Sequence, residues 1–444
     1  MNYGVLDYGE AASPRNVTVG IVGTTATVDS LRRWIDACSQ GVSAKPSRQP
    51  HLFPRFPGFG QDGAFYSEAV HSPRDIATLT TGELAALNRE QDVAAYVQRA
   101  SELFANKVRL LTENANVDVV LCAPPIDMAE RTINEAYGKG MPNFRHMLKA
   151  RAMGTRRPTQ IVLPMTYDPG KKLKRKRVET DRRVQDEATR AWNFFTALYY
   201  KAGGVPWRLP KSPSELETCY VGVSFYRTLE GEGLETSVAQ VFDERGEGVI
   251  VRGGTAKVSK HDKRPYLEAE PAQALLASAI ERYRQEHRHY PARVAVHKTS
   301  PFRDSEREGF EAALADRQIE VWDFVHLSDS KVRLFRQGAY PPLRGTLLEH
   351  SDAEATLYTR GSVEFYATYP GMYVPTPTLL RLHGSENSIQ SIAEEVLALT
   401  KLNWNNTQFD GGDPITVHAA RRVGDVLKYM PAEQPLEPQY RFYM

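Results

Sequence analysis

The chain has 444 residues, 41% of them hydrophobic and 25% charged. These are the proportions of an ordinary globular protein, and the length suggests two or three domains. With a net charge of +2 and a pI near 8.2, bulk charge announces no nucleic-acid partner, so any basic surface has to be local.

The three cysteines (Cys38, Cys122, Cys219) lie far apart with no C-x-x-C. That argues against a disulfide framework or a cysteine zinc site and fits a reducing cytoplasm. Residues 1–10 contain two acids, no basic residue and no apolar run, unlike a signal peptide. No apolar run approaches the roughly 18 residues of a membrane span. The expectation is a cytoplasmic protein without a membrane partner.

Val17–Gly23 (VTVGIVG) reads as a strand, and Asp29-Ser30 as the cap of a helix with Leu31, Trp34, Ile35 and Cys38 on one face. A strand feeding a helix opens a Rossmann-like α/β layer. Residues 43–64 are loop-like. Their Gly58, Gly60 and Gly63 have G-x-G-x-x-G spacing, but no strand precedes them and no capped helix follows, so the dinucleotide reading fails. Asn88–Glu113 is expected to be one long amphipathic helix and Val117–Cys122 a buried parallel strand. APPIDM then makes a crossover loop, Asn143–Arg151 a helix and Thr159–Leu163 a strand.

The next stretch carries the chemistry. Arg145 and Lys149 are four apart and leave one helix face. Gln160 follows a Pro-Thr turn, and Lys201 ends a second amphipathic run just before Ala-Gly-Gly, a helix stop. Brought together, these four give one guanidinium, two ammonium groups and an amide, the donor set a terminal phosphate needs. Each charge-assisted bond contributes on the order of 1.5–3 kcal/mol. The basic run at 171–177 (with Lys171 and Lys172), followed by Arg182 and Arg183, is either a solvated loop or a track for nucleic-acid backbone.

A Pro- and Lys-rich linker spans Val205–Thr218. Beyond it, strands at 219–227, 236–244 and 248–254 form an antiparallel meander. A helix (Pro271–Tyr290), a strand (292–299), a helix (304–317), a strand (319–327), a hairpin near 343–368 and helices at Ser388–Leu399 and 414–428 complete the chain.

The K-x(9)-TQ…K-x-GG pattern of Lys149, Gln160 and Lys201 resembles the MID domain of Argonaute proteins. LTKLNWNN (399–406) and ITVHAARRVGDVL (415–427) resemble their PIWI domain. The resemblance covers nearly the whole chain from about residue 16, and without a preceding N or PAZ region it is to the short prokaryotic Argonautes. It implies a short extension (1–15), a Rossmann-like MID domain (16–208) and an RNase H-like PIWI domain (209–444).

It further implies that Arg145, Lys149, Gln160 and Lys201 hold a guide 5′ phosphate. The family usually has a Tyr at the place of Arg145, stacking on the first base; a guanidinium can stack and also pair with phosphate. Lys401, Asn403, Arg421 and Arg422 match regions that contact guide backbone. The terminal carboxylate of Met444, after the aromatic tail QYRFYM, would help hold a structural Mg2+ against that phosphate; a frayed tail is the alternative.

RNase H-type cleavage uses two metals held by clustered carboxylates. Here the first acid position reads Ser224, and the second falls at His297 and Lys298. A lysine about 4 Å from a divalent ion would cost roughly 8 kcal/mol at an effective dielectric near 20. Asp304, Glu306, Glu268, Glu270 and Glu281 are conceivable substitutes, with helix caps and surface acids as their ordinary reading.

The expectation is therefore a recognition subunit without a catalytic metal. It would take a guide RNA and a single-stranded DNA target, and pair as a heterodimer with an APAZ-domain effector (a TIR or sirtuin-like NADase, or a nuclease), with further oligomerisation on activation, in antiphage defence. The rivals are an active nuclease using displaced carboxylates and a guide-independent nucleic-acid-binding scaffold.

Overall fold

The computed structural model describes residues 4–135, 140–171, 185–209, 216–227, 234–242, 248–335, 337, 341–366, 369, 374–405, 411–431 and 433–444, with backbone alone at 134–135 and 234–242. Two sheets organise the chain. The first contains β1 (Asn16–Gly23), β2 (Glu68–Val70), β3 (Ile76–Thr78), β4 (Val119–Ala123) and β5 (Thr159–Ile161). All its pairings are parallel, in the order β2-β1-β4-β5, with β3 beside the second half of β1. Val19, Ile21, Val120 and Leu121 are fully buried, as strands covered on both faces must be. The covering helices are α1 (Thr25–Ser39), α2 (Thr81–Asn88), α3 (Val93–Asn114), the single turns α4 (Ile126–Ala129) and α6 (Pro164–Tyr167), α5 (Phe144–Ala152) and α7 (Glu187–Lys201).

The second sheet has β6 (Thr218–Arg227), β7 (Leu234–Phe242), β8 (Gly248–Val251), β9 (Thr255–Val258), β10 (Pro265–Tyr266), β11 (Arg293–Lys298), β12 (Val321–Asp329), β13 (Leu347–Ser351), β14 (Glu354–Leu357) and β15 (Thr378–Ser385). Its order is β10-β9-β7-β6-β11-β12-β15-β14-β13, with β8 on β7. An antiparallel meander (β8-β7-β6) running into parallel β6-β11-β12 is the RNase H-like order. Helices α8 (Ala269–His287) and α9 (Asp304–Ala315) cover one face of this sheet. Helices α10 (Ile389–Leu399) and α11 (Ile415–Leu427) cover the other. The α/β expectation of a Rossmann-like layer followed by an RNase H-like layer is what the chain builds.

Several local expectations need correction. Helix α1 starts a turn earlier than Asp29-Ser30. Thr24 caps it, its hydroxyl accepting from the Thr27 N–H at 3.2 Å. Either pair can cap, and sequence alone does not rank them. The long helix expected from Asn88 is α3 and starts five residues later, at Val93, because Asp92 accepts from the Ala95 N–H at 2.7 Å and caps it; the separate α2 before it was not anticipated. The APPIDM loop is partly helical, as α4 behind Pro125. Strand β15 was not anticipated, and it joins β12 to the 343–368 hairpin.

Residues 4–15 pack onto the first domain instead of trailing from it. Buried Asp7 accepts from the Tyr199 hydroxyl at 2.7 Å and from the Val205 N–H at 2.9 Å, tying the chain start to the end of α7. The two domains then share one apolar cluster. It contains Ala150, Ala197 and Tyr200 from α5 and α7, Leu399 and Trp404, the buried face of α11, and the terminal Tyr440, Phe442, Tyr443 and Met444.

Helix α11 sits close on β6 because Gly222 has no side chain. A Cβ there would lie 2.1 Å from the Thr416 carbonyl oxygen, a backbone atom that cannot swing away. Gly222→Ala should therefore cost about 1–3 kcal/mol of stability in urea unfolding, more than a loop change such as Gly254→Ala, where the new Cβ meets nothing.

Candidate nucleic-acid interface

Asn143 caps α5, accepting from the His146 N–H at 3.1 Å, and so aims the next turns at the domain seam. Lys149 is only 2% exposed and Lys201 1%. Lys149 Nζ donates to the Thr159 carbonyl at 2.9 Å, and Lys201 Nζ to Gln160 Oε1 at 3.4 Å. Strand β5 thus lies between the two ammonium groups, which brings Lys149, Gln160 and Lys201 together as expected.

Arg145 joins them electrostatically. It keeps solvent access yet is closely surrounded, as a group lining a concavity must be. Burial and then Arg422 push the Arg145 guanidinium below its usual range, with Tyr440 acting the other way. Burial, then Lys201 and Arg145, pushes Lys149 well below the ordinary lysine value, opposed only by Cys122. Burial and Arg145 bring Lys201 down to about 7. No carboxylate figures among these causes. Packing of α11 on α5 places Arg422 close to Arg145, so a residue expected along the guide backbone sits beside the residues expected to hold the phosphate.

His146 is nearly buried, and burial, Lys428, Arg145, Arg422 and Lys149 hold its pKa at about 3, so it is a neutral member of the cluster. Sequence reading missed His146, Lys428 and Tyr440. They come from α5, from the end of α11 and from the chain terminus, and no spacing rule links them.

Lys401 is exposed, and Lys401 and Asn403 lie on the loop that locks the seam. Trp207 Nε1 donates to the Lys401 carbonyl at 3.1 Å, Trp404 Nε1 donates back to the Trp207 carbonyl at 3.3 Å, and Trp404 stacks on Tyr200 at 4.7 Å. Lys171 is exposed, while Lys172, Arg182 and Arg183 lie outside the described residues.

The three positions read for absent nuclease acids do not share one face. His297 aligns with Gly222 on β6, and its Nδ1 hydrogen-bonds the Thr416 hydroxyl at 2.9 Å, under α11. Burial, then Arg293, holds it near pKa 3, against Asp323. Ser224 lies two residues along β6 from Gly222, on the same face. Lys298 turns to the opposite layer, where its ammonium pairs with fully buried Glu306. Burial holds Lys298 near 8 despite Glu306. Of the two residues assigned to the second acid position, His297 alone therefore shares a face with Ser224. Thr299 is the residue that continues the register toward Ser224.

Glu306 is also committed to the Leu267 and Arg303 N–H groups at 2.8 and 3.1 Å. Asp304 pairs with Arg307, Glu268 with Lys257, and Glu281 with Arg284 and Arg317. Among the described residues, no group of three or more His, Cys, Asp or Glu could hold a metal. Next to this region a groove of about 1140 Å³ is lined by Arg264, Lys331, Arg333, Arg381 and Arg421, with Arg381 paired to Glu354 and Arg421 to Asp413.

No family model matches the sequence, and no curated protein is significantly similar to it. Solved structures are similar in fold. Clostridium butyricum Argonaute bound to a guide DNA (5′ deoxycytidine) and a 19-mer target DNA superposes with a TM-score of 0.63 at 15% identity, over 94% of this chain and 49% of that one. Aa-Ago with externally bound siRNA gives 0.55 at 12% identity, over 96% and 51%. The chain has an Argonaute-like fold. It spans about half the length of those Argonaute structures. None of the helices among the described residues is long and apolar enough to cross a membrane.

Two measurements probe this cluster of cations and the Lys298–Glu306 pair. An unfolded chain protonates Lys201 below about 10.5, the folded chain only below about 7. The stability this group contributes is therefore present above 10.5 and lost as pH falls toward 7. A bound anion favours the charged form and offsets that loss, so inorganic phosphate should raise the Tm more at pH 7 than at pH 9.5, and Lys201→Met should flatten the difference. Separately, Glu306→Ala leaves the Lys298 ammonium buried and unpaired, and urea unfolding should show a loss of about 3–5 kcal/mol. The double change Glu306→Ala with Lys298→Met should recover much of it.

Proposed function

We propose that the chain is the guide-directed recognition subunit of a short Argonaute system. Its pocket anchors the 5′ phosphate of a guide, RNA by our reading, and its RNase H-like half holds the guide–target duplex by backbone and shape. Base pairing then supplies the sequence specificity, with single-stranded DNA as the target. One observation carries this reading: Lys149 and Lys201 are buried within electrostatic reach of Arg145, and among the described residues no side-chain carboxylate figures in the shifts of the three. Buried cations are ordinarily paired. Here the missing negative charge is what a terminal phosphate brings.

A structural Mg2+ is implied by the family resemblance. Among the described residues Gln160 Oε1 is engaged by the long 3.4 Å contact from Lys201 alone, and the chain end is buried in the seam that also buries Ala150 and Tyr200. The Gln160 oxygen and the Met444 carboxylate would hold it, oxygen donors suited to a hard cation. The ion would share the neutralisation of the phosphate with the side-chain cations.

We further propose that the chain does not cleave its target. Ser224 and His297 occupy one face where acids would be required, and Glu306 is spent on Lys298. The output would then come from an APAZ-bearing partner, an NADase of TIR or sirtuin type or a nuclease, switched on by target binding in antiphage defence by abortive infection. That part of the proposal rests on the resemblance of the sequence.

Lys149→Ala combined with Lys201→Ala should erase at least a tenfold preference for 5′-phosphate over 5′-hydroxyl oligonucleotides in a binding titration. Equal affinity of the unmutated chain for the two ends would overturn the pocket assignment. A chelator should weaken binding of the phosphorylated guide specifically. The loaded chain should leave a matched target intact in Mg2+ or Mn2+, and cleavage lost on Asp304→Ala or Glu268→Ala would establish the nuclease reading instead.

A further inference from the structure

The groove wall made by Ser330, Lys331, Val332 and Arg333 leads to Phe335, whose 80% exposure is the highest among the large hydrophobic side chains of the described residues. The loop is held by specific bonds up to that point. The Ser330 N–H donates to the Pro377 carbonyl at 2.9 Å, the Val332 N–H to Ser330 Oγ at 3.2 Å, and the Leu334 N–H to the hydroxyl of buried Tyr358 at 2.8 Å. Arg333 is tied back to the Val332 carbonyl at 3.0 Å and the Thr376 hydroxyl at 3.4 Å. The backbone on the N-terminal side of Phe335 is thus fixed, and the ring is presented to solvent by a constrained loop.

Its surroundings select the occupant. Lys331 is exposed, lines the groove and has no ion pair among the described residues, whereas the groove's Arg381 and Arg421 are engaged by Glu354 and Asp413. The groove is also lined by Asp262, Asp329, Glu354 and Asp413, of which Glu354 and Asp413 are taken up by Arg381 and Arg421 and Asp262 by Arg303. An ammonium without an ion pair among the described residues, a few residues from an exposed aromatic ring at the edge of that groove, has the makings of a single-strand platform. The cation takes a backbone phosphate, and the ring takes the face of a base whatever its identity. We infer that Lys331 and Phe335 form a stacking platform for an unpaired nucleotide where a strand leaves the groove. This deepens the proposed function and rests on it. A protein partner docking on Phe335 would have no use for the adjoining phosphate donor.

The test uses the full chain loaded with a 5′-phosphorylated guide and targets carrying 2-aminopurine at successive positions. The unmutated chain should quench the probe at one narrow position beyond the duplex. Phe335→Ala should abolish that quench and weaken target binding on the order of tenfold, Phe335→Trp should restore both, and Lys331→Ala should weaken binding and lessen its salt dependence. None of these should alter the preference for a 5′ phosphate. Because Phe335 is exposed, its replacement leaves the fold intact, which circular dichroism verifies. Unchanged quench and affinity in Phe335→Ala would overturn the inference, as would a defect confined to binding another protein. Loss of the 5′-phosphate preference in the unmutated chain, with the Phe335-dependent quench retained, would overturn the pocket reading and leave the platform standing.

Discussion

Two ammonium groups and a guanidinium, gathered without a carboxylate, are the constraint around which this molecule is arranged. Their mutual repulsion and desolvation disfavour the ligand-free fold, so other packing has to hold them there. Strand β5 does so locally, accepting from Lys149 through the Thr159 carbonyl and from Lys201 through Gln160. The capped start of α5 and the Ala-Gly-Gly end of α7 fix where the two lysines enter. What remains uncompensated is positive charge at the bottom of a concavity, a state a bound anion relieves and water relieves only partly.

The seam between the domains completes the arrangement. Arg422, Lys428 and Tyr440 reach the pocket from the second domain and act on Arg145 or His146. The apolar cluster beneath them draws on both domains and on the last residues of the chain. The reciprocal Trp207–Trp404 bonds close the same seam from the other side. Pocket geometry and domain orientation therefore share atoms, and a ligand that pulls on Arg145 and Lys201 acts on residues that also set how the two layers meet.

That half shows the complementary pattern. On the face of its sheet under α11 the chain has a hydroxyl at Ser224 and a neutral imidazole at His297, hydrogen-bonded to Thr416. The layer behind is neutralised internally by the Lys298–Glu306 pair. A fully buried ion pair of this kind contributes little net stability, yet losing either partner strands a charge in the core.

The order of strands and helices was largely legible in the sequence, because buried parallel strands and amphipathic helices write their periodicity directly. Lys149, Gln160 and Lys201 were legible too, since each sits at a helix end or a strand start that local rules locate. Caps and short elements were less so: Thr24 competes with Asp29-Ser30, Asp92 starts α3 five residues later than its periodicity suggests, and β15 makes sense only between its two neighbours. Arg422 was found without its place beside Arg145, and His146, Lys428 and Tyr440 were missed, because their meeting depends on α11 and the chain end packing against α5. The facing of Lys298 away from Ser224 likewise follows from the register of β11 on β6. Sequence by itself determined the fold class and the chemical kinds of group available for an anion. Tertiary structure decided which of them share a pocket, since charges far apart in the chain interact only after packing has excluded the water between them.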